Sequence, residues 1–390
     1  MPQLREHPSK IKQGNRFGQF RAKTHSLPER VSSLMSLYSP TPFAYPGMNK
    51  PLKILPKILP KIRTMYPQTR LRRLRSTPAL REMVRETRLE VSNLIAPLFV
   101  VPGEKVRREI GSMPGQYNLS VDTATEKASS MYDLGIRSVL LFAIPEFKDE
   151  IGSSAWQPKG IIPQAIKSIK KAVPGMMVVT DLCCCEYTSH GHCGVMHNGE
   201  LCNDETLPNL LKQAIVHAEA GADLIAPSGM LDGTIGFLRH GLDEQNFSNL
   251  PLMSYAAKFA SSFYGPFRDA VQSTPEYGDR KTYQMDPGNI REAIREVELD
   301  VQEGADIVMV KPALAFLDVI KAVKDTFQMP TAAYNVSGEY AMVKAAAKLG
   351  WLDEKRVMLE SLTSIKRAGA DIIITYFAEA FAELRKRGEA

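Results

Sequence analysis

All five cysteines of this chain fall between Cys183 and Cys202, four of them in the segment DLCCCEYTSHGHCG that spans 181–194. Cys183 and Cys185 are two apart, so in an extended segment both side chains point the same way and Cys184 points the other. Cys193 follows beyond a Ser-His-Gly-His turn that can return it to the same ion. Three thiolates with an open fourth position suit a catalytic zinc, whereas a structural zinc normally closes with a fourth protein ligand. His192 is the candidate for that fourth place, or for a second, weaker site. His190 and His197 read as turn or surface histidines, and Cys184 and Cys202 as non-ligands. The alternative is a set of buried thiols. A disulfide framework would scatter cysteines along the chain, so the clustering favours metal ligation in a reducing compartment.

Two lysines carry a second chemistry. Lys311 ends the apolar run DIVMVK and precedes Pro312. Apolar flanks desolvate an ammonium, lower its pKa and free the amine as a nucleophile toward a carbonyl. A second lysine nearby, such as Lys258 in SYAAKFASSFYGPFRDA, adds like-charge repulsion. The competing reading for each is a snorkelling surface residue. Arg268 and Arg280 lie in the aromatic, Gly- and Pro-rich stretch 262–281, which reads as a long functional loop and lid. They suit bidentate binding of a substrate carboxylate, with surface ion pairs to Asp269 or Asp279 as the alternative.

The elements that must position these groups are legible as short apolar runs between helical stretches. The runs are LIAPLFV (94–100), SVLLFAI (138–144), MMVVTDL (176–182), DLIAPS (223–228), PLMSY (251–255), DIVMVK (306–311), TAAYNV (331–336) and DIIITYF (371–377). They are apolar on both faces, as parallel strands between a core and covering helices should be. The first is the weakest, because Pro97 lacks a ladder N–H. Gly-Ala-Asp recurs at 221–223, 304–306 and 369–371, each time between a helix and a strand. One such helix is expected over 289–303, with Ile290, Ala293, Ile294, Val297 and Val301 on its apolar face. Eight alternations argue for a (β/α)8 barrel. The alternative, a doubly wound sheet, lacks any G-x-G-x-x-G after a strand. A barrel places chemistry at the strands' C-terminal ends. There the sequence offers Asp181 and the cysteines, Ser228, Lys258 just after the fifth strand, Lys311, Ser337 and Tyr376. Asp181, beside the cysteines, is placed to orient a group or accept a proton.

The net charge of +6 is unevenly spread. Residues 1–63 hold 12 Lys and Arg against Glu6 and Glu29, which leaves the remainder at −4 (37 basic against 41 acidic residues). The basic balance is therefore no argument for nucleic-acid binding. No apolar run is long enough to span a membrane. Residues 1–63 read as a Pro-rich, basic, disordered extension and the enzyme as cytoplasmic; the alternative is an organelle stroma or matrix, since the stretch loosely fits a transit peptide. Residues 64–93 read as an N-terminal arm, with Thr77 capping and Pro78 opening a helix through Thr87. Residues 94–390 form the catalytic barrel.

Together the zinc segment, SYAAKFASSFYGPFRDA, MVKPALAFLDVI, NVSGEYAM and RAGADIIITYF resemble porphobilinogen synthase, also called 5-aminolevulinate dehydratase. The resemblance runs from about Tyr66 to the C-terminus. It implies a TIM-barrel lyase that condenses two 5-aminolevulinate molecules to porphobilinogen, with loss of two waters, for tetrapyrrole synthesis. It also implies that Lys311 and Lys258 form Schiff bases with the first and second substrate, and that Cys183, Cys185 and Cys193 bind Zn2+. By the same analogy Arg268 and Arg280 clamp the second substrate's carboxylate, Ser337 and Tyr376 contact the first, Glu296 binds an activating Mg2+ between subunits, and the chain forms a homo-octamer whose arm embraces a neighbour.

Three positions depart from the family pattern: Gly229 in place of an Asp, Thr234 in place of an Arg, and Thr282 in place of a cysteine. The last counts against a second zinc site built on His192. Two other functions compete with this one. A Schiff-base lyase of the class I aldolase kind needs one lysine and no zinc. A non-catalytic zinc-binding barrel has no use for the paired lysines.

Overall fold

A computed structural model describes residues 70–389, so the 1–63 extension and the first part of the arm lie outside it. The described chain divides into two compact units at residue 76. Of the first, a 3-10 turn over Leu71–Arg75 is described, closed by Ser76 Oγ donating to the Arg73 carbonyl. The second opens with α1 (Pro78–Met83), where Thr77 Oγ1 accepts from the Leu80 amide at 3.2 Å. The cap and the N1 proline are as expected, but the helix stops four residues before Thr87. None of its residues is buried, so no packing extends a weak one-and-a-half-turn helix.

Eight parallel strands follow, each at an expected run. They are β1 (Leu94–Val100), β2 (Ser138–Ala143), β3 (Met177–Leu182), β4 (Leu224–Pro227), β5 (Met253–Lys258), β6 (Ile307–Lys311), β7 (Thr331–Asn335) and β8 (Ile372–Thr375). Their spatial order is β4-β3-β2-β1-β8-β7-β6-β5. A single parallel bridge between Ile225 and Leu252 joins β4 to the entry of β5 and closes the ring. Helices between the strands cover it, including α2 (Val121–Asp133), α3 (Ile161–Ala172), α4 (Asn203–Ala220) and α5 (Thr234–Glu244). After β5 come a short α6 (Gly265–Val271) and α7 (Ile290–Gln302), then α8 (Leu317–Phe327), α9 (Ser337–Lys348), α10 (Glu354–Ala368) and α11 (Ala378–Lys386). This is the (β/α)8 barrel expected. Pro97 sits in β1 opposite Leu140, and β1 is buried throughout. On α7, Ala293 and Val297 are buried as expected, whereas Ile290, in its first turn, is exposed.

The Gly-Ala-Asp repeats prove to be a strand-starting device. Gly221, Gly304 and Gly369 all take positive φ, which ends the helix cheaply only in glycine. Each following Asp then turns back to the neighbouring strand. Asp223 accepts from the Val178 amide at 2.7 Å, Asp306 from Leu252 at 2.8 Å and Asp371 from Thr331 at 2.9 Å. Backbone donors at the bottom of the barrel are thereby satisfied, and the strand registers that aim the top-face side chains are fixed.

Candidate active site

Lys258 and Lys311 are direct neighbours, paired in register at the C-terminal ends of β5 and β6. The sequence placed Lys258 just beyond its strand. β5 instead runs three residues past Tyr255, because its pairing with β6 resumes, after a register shift, at Val310–Ala257 and Lys311–Lys258. Both lysines are buried. Lys311 Nζ is boxed by aromatic rings, 4.3 Å from the centroid of Tyr334, 4.9 Å from Tyr255 and 5.3 Å from both Tyr264 and Phe267. Lys258 Nζ donates to the Ser228 carbonyl.

Desolvation, with repulsion from Lys258 next, pushes the Lys311 amine down to about 7, while Asp181 pulls the other way. Asp181, one residue before the end of β3, is pushed up by burial to about 6, against the attraction of Lys311 and Lys258. Ser228 Oγ donates to its Oδ2 at 2.9 Å, and its buried Oδ1 has no partner among the described residues. An amine and a carboxyl that both titrate near neutrality, side by side in a closed space, are suited to carbonyl addition and proton transfer.

Directly after β3, Cys183, Cys185 and Cys193 are buried with their sulfurs within 4.8 Å of one another, Cys183 and Cys185 at 3.4 Å. Cys184 points into the main apolar core, as the alternation of side chains required. Hydrogen bonds from the Cys183 and Cys185 thiols hold the Cys193 thiol well below its ordinary pKa, aided by Arg280 and Lys258. Three converging soft donors, one already favouring the thiolate, fit a zinc ion. His192 supplies no fourth ligand: Nδ1 bonds Tyr283 Oη at 3.0 Å and Nε2 bonds the Tyr277 carbonyl at 2.9 Å. His190 lies in a turn, as expected, but is buried, with Nε2 3.0 Å from the Glu150 carbonyl. His197 is exposed against Glu205, and these two with half-buried Cys202 form a separate surface trio.

Residues 262–281 are not all loop, since α6 carries Arg268. Arg280 is buried and donates through Nη2 to the carbonyls of Gly191 (2.8 Å) and Ser273 (2.7 Å). Neither arginine has an ion-pair partner among the described residues. Asp269 instead accepts from Ser112, and Asp279 pairs with Lys281. The Nε of each arginine is buried without an acceptor among those residues. Arg268 and Arg280 line one narrow cavity together with Asp181, Cys185, Ser228 and both lysines, roofed by Tyr264, Phe267 and Phe142.

Ser337 and Tyr376 do not line this cavity but bond to residues around it. Ser337, first residue of α9, accepts from the Phe267 amide at 3.0 Å and donates to the Phe263 carbonyl at 3.3 Å. Tyr376 is hydrogen-bonded to Tyr334 at 2.9 Å and stacked over Phe99. Glu296 is elsewhere, on α7 in a separate hollow shared with Asp232 and Glu292. Burial, then these two carboxylates, raise its pKa. Thr234 turns its hydroxyl onto the Leu231 carbonyl at 2.7 Å, and with Gly229 it borders a small hollow facing Asp300. The aromatic box of Tyr255, Tyr264, Phe267 and Tyr334 was not foreseen. Its sequence signals are Tyr255 and Tyr334 within otherwise aliphatic or small-residue strand runs, and Tyr264 and Phe267 within the aromatic stretch 262–281.

Comparison with known proteins agrees with this geometry. The family model described as Delta-aminolevulinic acid dehydratase matches residues 68–384. The chain is 59% identical over 319 residues to the Delta-aminolevulinic acid dehydratase of Synechococcus elongatus, covering 81% of this chain and 98% of that one. It is 53% identical over 314 residues to that of Bacillus subtilis, covering 80% and 97%. A crystal structure of the Toxoplasma gondii delta-aminolevulinic acid dehydratase (porphobilinogen synthase), in complex with the reaction product porphobilinogen, superposes with a TM-score of 0.79 at 44% identity, covering 81% of this chain and 91% of that one. With its paired lysines, cysteine trio and barrel all in place, the chain belongs to the delta-aminolevulinic acid dehydratase family.

Proposed function

We propose that this chain joins two molecules of 5-aminolevulinate into porphobilinogen, using Lys311 and Lys258 as Schiff-base nucleophiles beside a zinc held by Cys183, Cys185 and Cys193. The observation that carries this reading is the register pairing of two buried lysines in the cavity that Cys185 also lines. The neutral Lys311 amine adds to the ketone of the first substrate, and loss of one water leaves an iminium. The surrounding aromatic faces stabilise that cation. The iminium withdraws electrons and acidifies the adjacent carbon for C–C bond formation. Lys258 does the same for the second substrate, and Asp181, oriented by Ser228, takes and returns protons. The acidified carbon of one substrate attacks the iminium carbon of the other, proton loss expels that lysine as a C=C bond forms, and the free amine then displaces the remaining lysine as the ring closes, so that two substrates yield one pyrrole and two waters. When bound, zinc supplies Lewis acidity toward the second substrate. Two identical molecules must be held in different poses, which needs two carboxylate sites. Arg268 and Arg280 serve the second substrate and Ser337 with Tyr376 the first. Glu296 and its acidic neighbours are assigned to an activating magnesium.

The direct test is pyrrole formation from 5-aminolevulinate by the purified chain, and absence of product sinks the reading. Two further outcomes are expected. Because the folded Lys311 pKa is lowered to about 7, its amine is neutral above that pH and protonated below it. The rate of cyanoborohydride-trapped imine at Lys311 should therefore fall about tenfold per unit below pH 7 and level off above it. A rate still climbing steeply between pH 8 and 10 would show an unperturbed lysine. For the clamp, Arg268→Ala removes a charge-assisted contact of about 1.5–3 kcal/mol. The half-saturating substrate concentration should rise roughly ten- to a hundredfold. Arg280 is the poorer probe, because its carbonyl bonds also shape the loop.

A further inference from the structure

Glu339 is 1% exposed, lies on α9 and lines no part of the cavity that holds the lysines. Its carboxylate is nonetheless the meeting point of three strand ends. Oε1 accepts from the Leu314 amide at 2.8 Å, three residues beyond Lys311. Oε2 accepts from Asn335 Nδ2 at 2.9 Å, at the last residue of β7, and from the Val336 amide at 3.0 Å. Asn335 Oδ1 in turn accepts from Thr375 Oγ1 at 2.9 Å, at the last residue of β8. That hydroxyl also accepts from the Phe377 amide at 3.1 Å, so Tyr376 is bracketed.

We propose that Glu339 is a positioning residue that fixes Lys311 through the Leu314 amide and ties it to the β7 and β8 ends bearing Tyr334 and Tyr376. This deepens the Schiff-base reading above and rests on it. The backbone after Lys311 is pinned at two points. The Lys311 carbonyl accepts from the Phe259 amide at 3.0 Å and from Tyr264 Oη at 3.2 Å, and Glu339 takes Leu314. Only the second pin comes from the β7 side, whose Tyr334 supplies the ring nearest Lys311 Nζ. A buried carboxylate accepting from three donors is a strong tie, and a misplacement of about 1 Å at a nucleophile can cost on the order of a hundredfold. Lys258 adjoins Lys311 through the Phe259 amide, but its other anchors owe nothing to Glu339: its ammonium donates to the Ser228 carbonyl and its own carbonyl accepts from the Met285 amide at 3.1 Å. Loss of the Glu339 tie should therefore act on one lysine and not the other.

Glu339→Asp separates the local role from the remote one. An Asp at this third helical position still caps its own helix start, but it is one methylene too short to reach Leu314. The probe is 4-oxopentanoate, the substrate without its amine, trapped with cyanoborohydride and mapped by mass spectrometry. In the wild-type chain both lysines should be labelled; labelling of neither defeats the Schiff-base reading itself. In Glu339→Asp, labelling at Lys311 should slow about tenfold or more while Lys258 stays within about twofold. Hydrogen exchange should rise in the peptide containing Leu314. Glu339→Gln, which turns a donor toward one of the three N–H groups, is the second variant and should show the same asymmetry. Unchanged Lys311 labelling overturns the proposal. So does equal slowing at both lysines, which marks a general loosening of the barrel.

Discussion

Replacing Lys311 by methionine lowers turnover by about four orders of magnitude or more, the scale seen when a covalent nucleophile is removed. The same substitution leaves the fold intact. Methionine has nearly the length of lysine and is at home among aromatic rings, here Tyr334, Tyr255, Tyr264 and Phe267. The sign of its effect on stability follows from the depressed pKa. In the unfolded chain the lysine titrates at 10.5, and in the barrel at about 7. Between these values the unfolded state binds the proton that the folded state refuses, so folding is opposed increasingly as pH falls and most strongly below 7. An uncharged methionine escapes that penalty. The variant should thus unfold at a higher temperature than the wild type at pH 6, with the gap narrowing toward pH 10. Loss of activity with a gain in stability is the signature of a strained functional group, and loss of both would point to a structural lysine. Turnover above about one per cent of wild type would remove Lys311 from the covalent step.

The strands were readable because each is apolar on both faces and bounded by polar helices, a pattern only a covered parallel sheet produces. Even the doubtful β1 obeyed it, since one missing N–H at Pro97 costs less than leaving seven apolar residues unburied. The cysteines and lysines were readable because their chemistry is rare and their neighbours unusual. Roles made by distant partners were not. Nothing around Glu339 in the sequence reveals Leu314, 25 residues earlier, as its partner. The aromatic box likewise joins Tyr255 to Tyr334 across two strand pairings. The Asp of each Gly-Ala-Asp could be seen to recur, but its bond to the start of the adjacent strand depends on register. Errors of extent arose where tertiary contact decides an end. Examples are α1, which has no buried side, and β5, which pairing with β6 prolongs to Lys258.

Cys193→Ser is expected to strip the metal and lower activity by roughly a thousandfold, the equivalent of about 4 kcal/mol of lost charge stabilisation. Serine keeps the volume of the side chain but not its acidity, so it offers a neutral hydroxyl where a thiolate is needed. Cys193 is the informative choice among the three, because the other two thiols and the nearby Arg280 and Lys258 already draw it toward the anion. Cys184→Ser is the control: that side chain lies in the apolar core, so the variant should retain its metal and lose only stability. Metal content by mass spectrometry and pyrrole formation are read together for each variant. Chelation of the wild-type chain should reproduce the Cys193→Ser defect, and added zinc should reverse it in the wild type alone. The pairing matters because Arg280 both attracts the Cys193 thiolate and lines the cavity, with a buried Nε that has no acceptor among the described residues. With the thiolate gone, the arginine loses its largest electrostatic attraction, and the affinity for a carboxylate substrate should hold or improve while turnover collapses. A metal-free chain with full turnover, or a Cys193→Ser variant whose substrate affinity falls in step with its rate, would show that the cysteines only hold the loop in shape.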